Sequence, residues 1–507
     1  MTLAYKRIGP IEDSKKISDA IFLSNRERKA HLGQFLTPPH VADFMAGLFS
    51  KHWTDIKLLD AGAGAGALTK ALVCALCSSG HKPHQIHVTA YEIDQNLLPL
   101  LHKTFEECKT LCVRANIFFS ASVLEEDFIQ AAVPMIRDDL FFVESPDFNM
   151  AIVNPPYKKI RSDSQARLLL HSAGIEASNL YPAFLALIAR LLVKGGELVA
   201  ITPRSFCNGP YFKPFRAEFL ETMSLRHIHV FDSRREAFKS EDVLQETVIV
   251  HAVKEAKKLS HVVISSSNGH SGNAIAERKV AYTDVVSPGD PNQFIHLMTT
   301  DEQTYAKSVI CRLPATLDEL GLIVSTGRVV DFRAKSYLRK QPGNGTVPLI
   351  YPCHFRDGFV HWPKVDSRKP NAIVCNEHTH DLLVPAGVYV LVKRFTSKEE
   401  RRRVVACIYD PESISSPFVG FENHLNYYHI QGHGISMNLA KGMAAFLNSS
   451  LVDVYFRQFS GHTQVNASDL RTFRYPSVST LEKLGNWYPK PGFSQEQLDK
   501  LVEGFLF

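Results

Sequence analysis

Leu58-Leu59-Asp60-Ala61-Gly62-Ala63-Gly64-Ala65-Gly66-Ala67-Leu68 reads as the end of a strand, a glycine turn and the start of a helix. Glycines let a backbone approach a ligand at the mouth of a sheet, where the chain reverses its winding order. Outward from this stretch the pattern alternates. Strand-like runs are Lys57–Leu59, Ile86–Tyr91, Ile117–Ser120, Phe148–Val153, Glu197–Ile201, His227–Phe231 and Thr247–Val250. Helical runs such as Leu68–Cys77, Leu97–Cys112, Tyr181–Leu192 and Tyr211–Met223 separate them. Such alternation predicts an α/β fold with a parallel, doubly wound, Rossmann-like sheet. The last two strands share only a short connection, Arg234 to Asp242, without a clear helix. The final strand is therefore expected to insert antiparallel.

Taken alone, the glycine turn suits a dinucleotide, a phosphate or nothing. The next strand ends in Tyr91-Glu92-Ile93-Asp94, which places an acid where a ribose diol would lie. That acid fits NAD as well as S-adenosyl-L-methionine. Asp60 favours the latter, because a carboxylate there can hold an ammonium group but would repel a pyrophosphate. Asp127-Phe128 follows the third strand, able to accept from an adenine amine and to pack on its ring.

Phe148-Asn149-Met150-Ala151-Ile152-Val153 runs straight into Asn154-Pro155-Pro156-Tyr157. Each proline fixes φ, lacks an N–H and keeps the residue before it out of the helical region. The proline carbonyls and the Asn154 side-chain oxygen are left as a rigid row of acceptors beside a flat Tyr157. That arrangement suits a planar heterocycle carrying an exocyclic amine.

The chain has 507 residues, 45% hydrophobic and 21% charged, enough for two or three domains. Its net charge of +5 is compatible with a polyanionic partner without requiring one. The N-terminus has no apolar signal core and no apolar run approaches the length of a membrane span, so a cytoplasmic protein is expected. Nine cysteines without framework spacing fit reduced thiols. Cys74, Cys77, Cys108 and Cys112 sit at helical spacing in apolar segments, which favours core cysteines over a metal site.

Near Ala256–Ser260 the composition changes, and short, turn-punctuated apolar runs follow, then an apolar helix from Met437 to Leu451. The expected division is a first domain over 1–257 and an α+β domain over 258–507. Two basic clusters lie in the latter. One holds Arg328, Arg333, Lys335, Arg339 and Lys340; the other holds Lys393, Arg394, Lys398 and Arg401 to Arg403. Interleaved Phe332, Tyr337 and Phe395 make a phosphate-contacting surface a fair reading beside the plainer one of solvated faces.

Together these segments resemble the gamma-class adenine-amino DNA methyltransferases of type II restriction–modification systems, and the pieces occur in that family's order. Gly33-Gln34-Phe35-Leu36-Thr37-Pro38-Pro39 is similar to motif X, which closes over the methionine end of the cofactor. Asp60 to Leu68 is similar to motif I, departing from the usual Asp-Pro-Ala with Asp60-Ala61-Gly62. Glu92-Ile93 resembles motif II, for ribose hydroxyls and adenine packing, and Asp127-Phe128 motif III. Asn154 to Tyr157 is similar to motif IV. Asn179 to Phe184 resembles motif V, whose phenylalanine lines the adenine pocket, and Pro203 to Gly209 motif VI. Motif VIII, an aromatic on the target base's other face, is best placed at His251, with Phe231 and Phe238 as rivals. Ser460 to Arg471 resembles a segment of the family's C-terminal halves.

The resemblance implies a Rossmann-like S-adenosyl-L-methionine-dependent sheet followed by a DNA target-recognition domain. It implies Asn154, Pro155, Pro156 and Tyr157 as the catalytic loop, with Thr37, Asp60, Gly62, Gly64, Glu92, Ile93, Asp127, Phe128 and Phe184 holding the cofactor. The substrate would be double-stranded DNA. Only about 30 residues precede the motif X segment, so a restriction endonuclease is expected as a separate chain; no metal and no membrane partner are expected. Arg328, Arg333, Lys393, Arg394 and Gln464 are candidate DNA contacts. Asn-Pro-Pro-Tyr also occurs in enzymes resembling release-factor glutamine methylases and guanine-amino ribosomal RNA methylases. A protein or RNA substrate is thus the alternative, and the large C-terminal half speaks against it. A catalytically idle DNA-binding relative is a further rival, disfavoured by intact Asn154, Asp127 and Glu92.

Overall fold

Phe148–Val153 is buried along its whole length, as a strand must be when it is flanked and covered on every side. The computed structural model describes residues 37–50, 53–137, 147–231, 246–255, 257–267, 275–461, 463–488 and 493–507. A lead-in helix, which the polar sequence of residues 1–30 suggests, residues 33–36 ahead of Thr37, the connection from Arg234 to Asp242, and Phe238 lie outside these. The chain forms two compact units. One runs up to Pro203 and adds Glu218–Leu259 and Ser267–Ala274; the other takes Arg204–Ala217, Ser260–Ser266 and Ile275–Phe507.

The first unit holds β1 (Asp55–Ala61), β2 (Gln85–Tyr91), β3 (Phe118–Leu124), β4 (Phe148–Val153), β5 (Leu192–Pro203), β6 (Met223–Phe231) and β7 (Thr247–Lys254). Their order is β3-β2-β1-β4-β5-β7-β6. β1 to β5 pair in parallel. β7 lies antiparallel to both β5 and β6, as expected from a connecting sequence without a clear helix. The winding reverses between β1 and β4, so the glycine turn and the Asn-Pro-Pro-Tyr loop leave the sheet side by side. That is where open α/β sheets bind ligands.

Around this sheet, α1 (Pro39–Ala46), α2 (Ala67–Ser78) and α3 (Leu98–Arg114) pack together, as do α4 (Phe128–Ile136), α5 (Gln165–Ser172) and α6 (Leu180–Leu191). Val41, Leu72, Leu101, Phe105, Cys108 and Cys112 join Ile56, Leu58, Val88 and Ile152 in one apolar cluster. Cys77 and Cys112 meet there as free thiols, 3.8 Å apart. Asn149 is the polar exception inside β4. Its amide accepts from Lys57 N (2.9 Å) and donates to Asp55 O (2.7 Å), completing the ladder where β4 and β1 begin to diverge.

α1 ends at Ala46, and its N-cap is Pro38 with no side-chain cap. Thr37 does not cap it, because its hydroxyl is engaged elsewhere. The segment's far end is tied down by Glu197, whose Oε2 accepts from Ser50 N and Oγ (both 3.0 Å).

The second unit contains the hairpin β8 (His261–Ser267) with β9 (Ala276–Ala281). Then come β10 (Ile323–Thr326), β11 (Leu338–Arg339), β12 (Thr346–Ile350), β13 (Phe355–Arg356), β14 (Phe359–Val360), β15 (Ala372–Val374) and β16 (Leu383–Pro385). β17 (Tyr389–Lys393), β18 (Ala406–Tyr409), β19 (Phe418–Phe421) and β20 (Leu425–His429) complete the set. They form two sheets, β10-β20-β17-β18-β14-β13 and β11-β15-β12-β19-β16. Helices α7 (Asp301–Arg312), α8 (Met437–Leu447), α9 (Ser450–Arg457) and α10 (Val478–Asn486) contribute to the core on the first of these. The single helix expected from Met437 to Leu451 is in fact broken. Asn448 turns its amide onto Ala406 N and O (3.0 and 2.9 Å), and Ser449 starts a new helix by accepting from Val452 N.

Candidate active site

Three glycines after β1, Gly62, Gly64 and Gly66, have φ of 79°, 58° and 80°, a region that disfavours any residue with a Cβ. A Cβ on Gly66 would also stand 2.9 Å from Leu101 Cδ1. The turn is pinned by the next strand: Gly64 N donates to Glu92 Oε2 (2.8 Å), while Asp94 N donates to Oε1 (2.7 Å). Burial raises the Glu92 pKa, partly opposed by these backbone donors.

Asp60 lies fully buried beneath the turn. Thr69 Oγ1 donates to its Oδ2 at 2.6 Å, and Oδ1 is buried without a hydrogen-bond partner. Burial, the dominant cause, pushes its carboxyl up to about 7. An orphaned buried acceptor beside a glycine turn fits an ammonium group, the donor that S-adenosyl-L-methionine would bring. Asp127 Oδ1 caps α4, accepting from Ile129 N and Gln130 N (2.8 and 3.1 Å), so only part of this carboxylate remains for a ligand. The Phe128 ring packs against Phe184 (5.0 Å) and Tyr91 (5.1 Å), and Ile93 is half exposed.

A cleft of about 260 Å³ gathers these groups. Of the residues singled out from sequence, Thr37, Gly62, Gly64, Glu92, Ile93, Asp127, Phe128, Asn154, Pro156 and Phe184 line it. Asp60, Pro155 and Tyr157 do not; they lie buried. Leu97, Glu126 and Lys158 also line it without having been singled out. Lys158 follows the Asn-Pro-Pro-Tyr loop directly, and that adjacency was the available signal; the other two carry no motif.

Asn154 Nδ2 donates to Thr37 Oγ1 at 3.1 Å, joining the head of the α1 segment to the loop after β4. Tyr157 turns inward: its hydroxyl donates to Ile201 O (3.3 Å) and its ring meets Tyr181 edge-on. His251, favoured as the second stacking aromatic, is 3% exposed on β7 and hydrogen-bonded through Nε2 to Glu197 (2.7 Å). A ring so enclosed cannot lie on a base, which corrects that expectation. Phe231 is buried as well, within the core under the sheet.

In the second unit the candidate DNA contacts divide. Backbone bonds Gly327 N to Leu425 O and Asn423 N to Val329 O set Arg328 beside the turn before β20, and Arg328 is exposed. Lys393 ends β17, Arg394 follows it, and Phe395 bridges to Gln464 across a short antiparallel contact. Arg333 is exposed over the ring of Phe332. The arginine run 401–403 is largely internal: Arg402 Nη1 donates to Asn448 O (2.6 Å). Arg403, 1% exposed, donates from Nε to Thr396 Oγ1 and covers the Phe456 ring. Those two are structural cations. Among the described residues no helix is long and apolar enough to cross a membrane.

Residues 84–238 match the model of the Eco57I restriction-modification methylase family. The chain is 43% identical to type II methyltransferase M.PstI of Providencia stuartii, over 94% of this chain and 93% of that one. It is 45% identical to type II methyltransferase M.BsuBI of Bacillus subtilis, over 95% of each. Likeness of this extent spans both units and the loops that build the cleft, so the chain belongs to the type II methyltransferases of restriction–modification systems.

Proposed function

We propose that this chain transfers a methyl group from S-adenosyl-L-methionine to the N6 amine of an adenine flipped out of duplex DNA, within a defined base sequence. Methylation would shield that sequence from a cognate endonuclease carried on a separate chain. The observation that carries the reading is one cleft lined both by Asn154 and Pro156 and by the glycine turn, Glu92, Asp127 and Phe184. Acceptors suited to an exocyclic amine therefore share a cavity with groups suited to a nucleoside. The unit built on residues before about 258 would do the chemistry, and the remainder would recognise the target.

Asp60 would hold the cofactor's ammonium, Glu92 its ribose, and Ile93, Phe128 and Phe184 its adenine. When bound, S-adenosyl-L-methionine supplies an electrophilic methyl group. The protein's own work is on the target amine, whose lone pair is delocalised into the purine ring. Asn154 Oδ1 and the Pro155 carbonyl accept its two N–H bonds and draw the nitrogen toward tetrahedral geometry. Catalysis of this kind is positioning and electrostatics, and the nitrogen releases a proton once it carries the fourth substituent. Extruding the base costs a few kcal/mol of unstacking. Tyr157 would offset part of that cost as a stacking surface, which requires its inward ring to turn.

Labelled cofactor incubated with duplex DNA, ribosomal RNA and release factor separates the substrate classes. N6-methyladenine in DNA alone is the expected product. Transfer only to RNA or to a glutamine amide would overturn the reading.

A further inference from the structure

At the end of β17 and the turn before β20, the second unit builds a small rigid knuckle that no motif announced. Arg394 N donates to His424 O (2.8 Å), Val465 N to Arg394 O (2.7 Å), and Thr396 N to Thr463 O (2.9 Å). Three separate chain segments are thereby fixed around Phe395. Phe395 is 41% exposed. The Arg394 guanidinium lies 5.7 Å from its ring, and the His424 ring lies 4.7 Å from it. Gln464 is the cross-strand partner of Phe395.

His424 is oriented from beneath. Glu422, with a side chain 1% exposed, binds its Nδ1 through Oε1 and its backbone N through Oε2 (2.9 Å), while the imidazole remains 43% exposed. A buried carboxylate that takes Nδ1–H leaves Nε2 as the acceptor of the neutral ring. An acceptor and an aromatic ring, with the Gln464 amide beside them, match what a base-pair edge offers in the major groove. An amine donor on adenine or cytosine would meet Nε2, and an apolar surface would meet Phe395.

We propose that His424 is a specificity-determining contact to a base edge in duplex DNA, with Phe395 as its apolar neighbour and Glu422 as the positioning residue that sets the ring. The inference rests on the DNA-methylation reading above. Arg394 keeps Phe395 in place and adds positive charge; its Nη1 also donates to Asn423 O at 3.1 Å.

The test is to sequence methylated bases in DNA from cells expressing the full chain or its variants, and to measure binding to duplexes carrying the wild-type motif or single-base changes. Wild type should methylate adenine in one motif; absence of any such methylation defeats the DNA reading itself. H424A should relax one position of that motif, with discrimination there falling about 10- to 100-fold. E422Q should relax the same position to a lesser degree, and F395A should weaken binding to the motif about tenfold. If H424A leaves every position of the motif as selective as wild type, the inference is overturned while DNA methylation stands. A uniform loss of affinity across all duplexes, steeper at low salt, would make the knuckle a phosphate contact and overturn it as well. A variant too weak to methylate is still decided by the binding measurement.

Discussion

Glycines serve opposite ends in the two units. After β1, Gly62 and Gly64 take left-handed φ values and open the backbone to the cleft, and a Cβ on Gly62 would meet nothing closer than Phe184, 3.9 Å away; Gly66 packs against Leu101 instead. Between α8 and α10 they close space instead. A Cβ on Gly442 would stand 1.8 Å from Leu481 O, and one on Gly485 would stand 1.9 Å from Asn438 O, so each helix leans on the other's backbone. Backbone exposed for a ligand and backbone pressed against backbone need the same residue for unrelated reasons. The expected consequence is that damage to the first unit's turn and loop shows in chemistry, whereas damage to the second unit's crossing shows in stability.

The sharpest break should come at Asn154. N154A is expected to lower turnover on duplex DNA at least 100-fold, the scale seen when an oriented charge-stabilising group is lost, with unfolding by denaturant unchanged. Wild-type turnover in a folded N154A would remove Asn154 from the mechanism. Y157F should keep most of the rate, because its hydroxyl only reaches Ile201 O, whereas Y157A should lose both the ring and its packing.

G442A comes next, and its effect should be structural. Alanine improves helix propensity by about 1 kcal/mol, but the contact with Leu481 forces the helices apart, and overpacking of this kind costs about 1–3 kcal/mol. A net loss of about 1 kcal/mol, and up to about 2, read as a lower denaturation midpoint at constant slope, is the expected outcome. A midpoint at or above wild type would show that the crossing yields easily.

Asp60 gives a pH signature of intermediate size. Burial lifts its carboxyl from 3.8 to about 7, so the folded protein keeps a proton there that the unfolded chain has released. The group's contribution to stability therefore falls as pH rises from about 4 to about 7. Cofactor affinity should move the other way, strengthening as pH rises through 7, because only the carboxylate holds an ammonium. D60N should flatten both profiles and weaken cofactor binding about tenfold, measurable by calorimetry across pH 5.5 to 8.5. Parallel pH profiles in wild type and D60N would take Asp60 out of cofactor binding.

The smallest effect belongs to the exposed cations. R328A should weaken DNA binding a few-fold with a shallower salt dependence and no change in stability. R403A, by contrast, should cost about 2 kcal/mol of stability, because it strips a buried guanidinium from Thr396 and from the Phe456 ring. A stable R403A with weakened DNA binding would reverse the roles assigned to these two arginines.

Much of the first unit was readable because most of the candidate residues follow the end of a strand, Thr37 and Phe184 excepted. In a parallel sheet those ends converge at one rim whatever the intervening helices do, so Gly62, Glu92, Asp127 and Asn154 had to meet once the alternation was recognised. The antiparallel β7 was equally legible, from a connecting sequence that suggests no clear helix. Harder to read were orientations. Nothing in Asn-Pro-Pro-Tyr says that Tyr157 turns inward while Asn154 bonds to Thr37, and nothing in a histidine near a strand says that Glu197 encloses it. The second unit was legible only as a composition: its arginine runs look alike in sequence, yet Arg403 is core and Arg328 is surface.

The sequence by itself determined the strand order's logic, the glycine turn and the acceptor-rich loop, because these depend on local backbone rules and on a periodicity that spans few residues. Only the tertiary structure decided which of the polar groups face a cleft, which arginines are buried, and that Phe395, His424 and Gln464 share one knuckle. Those outcomes depend on segments tens of residues apart being brought together by strand pairing, and long-range pairing leaves no mark on any one of the segments it joins.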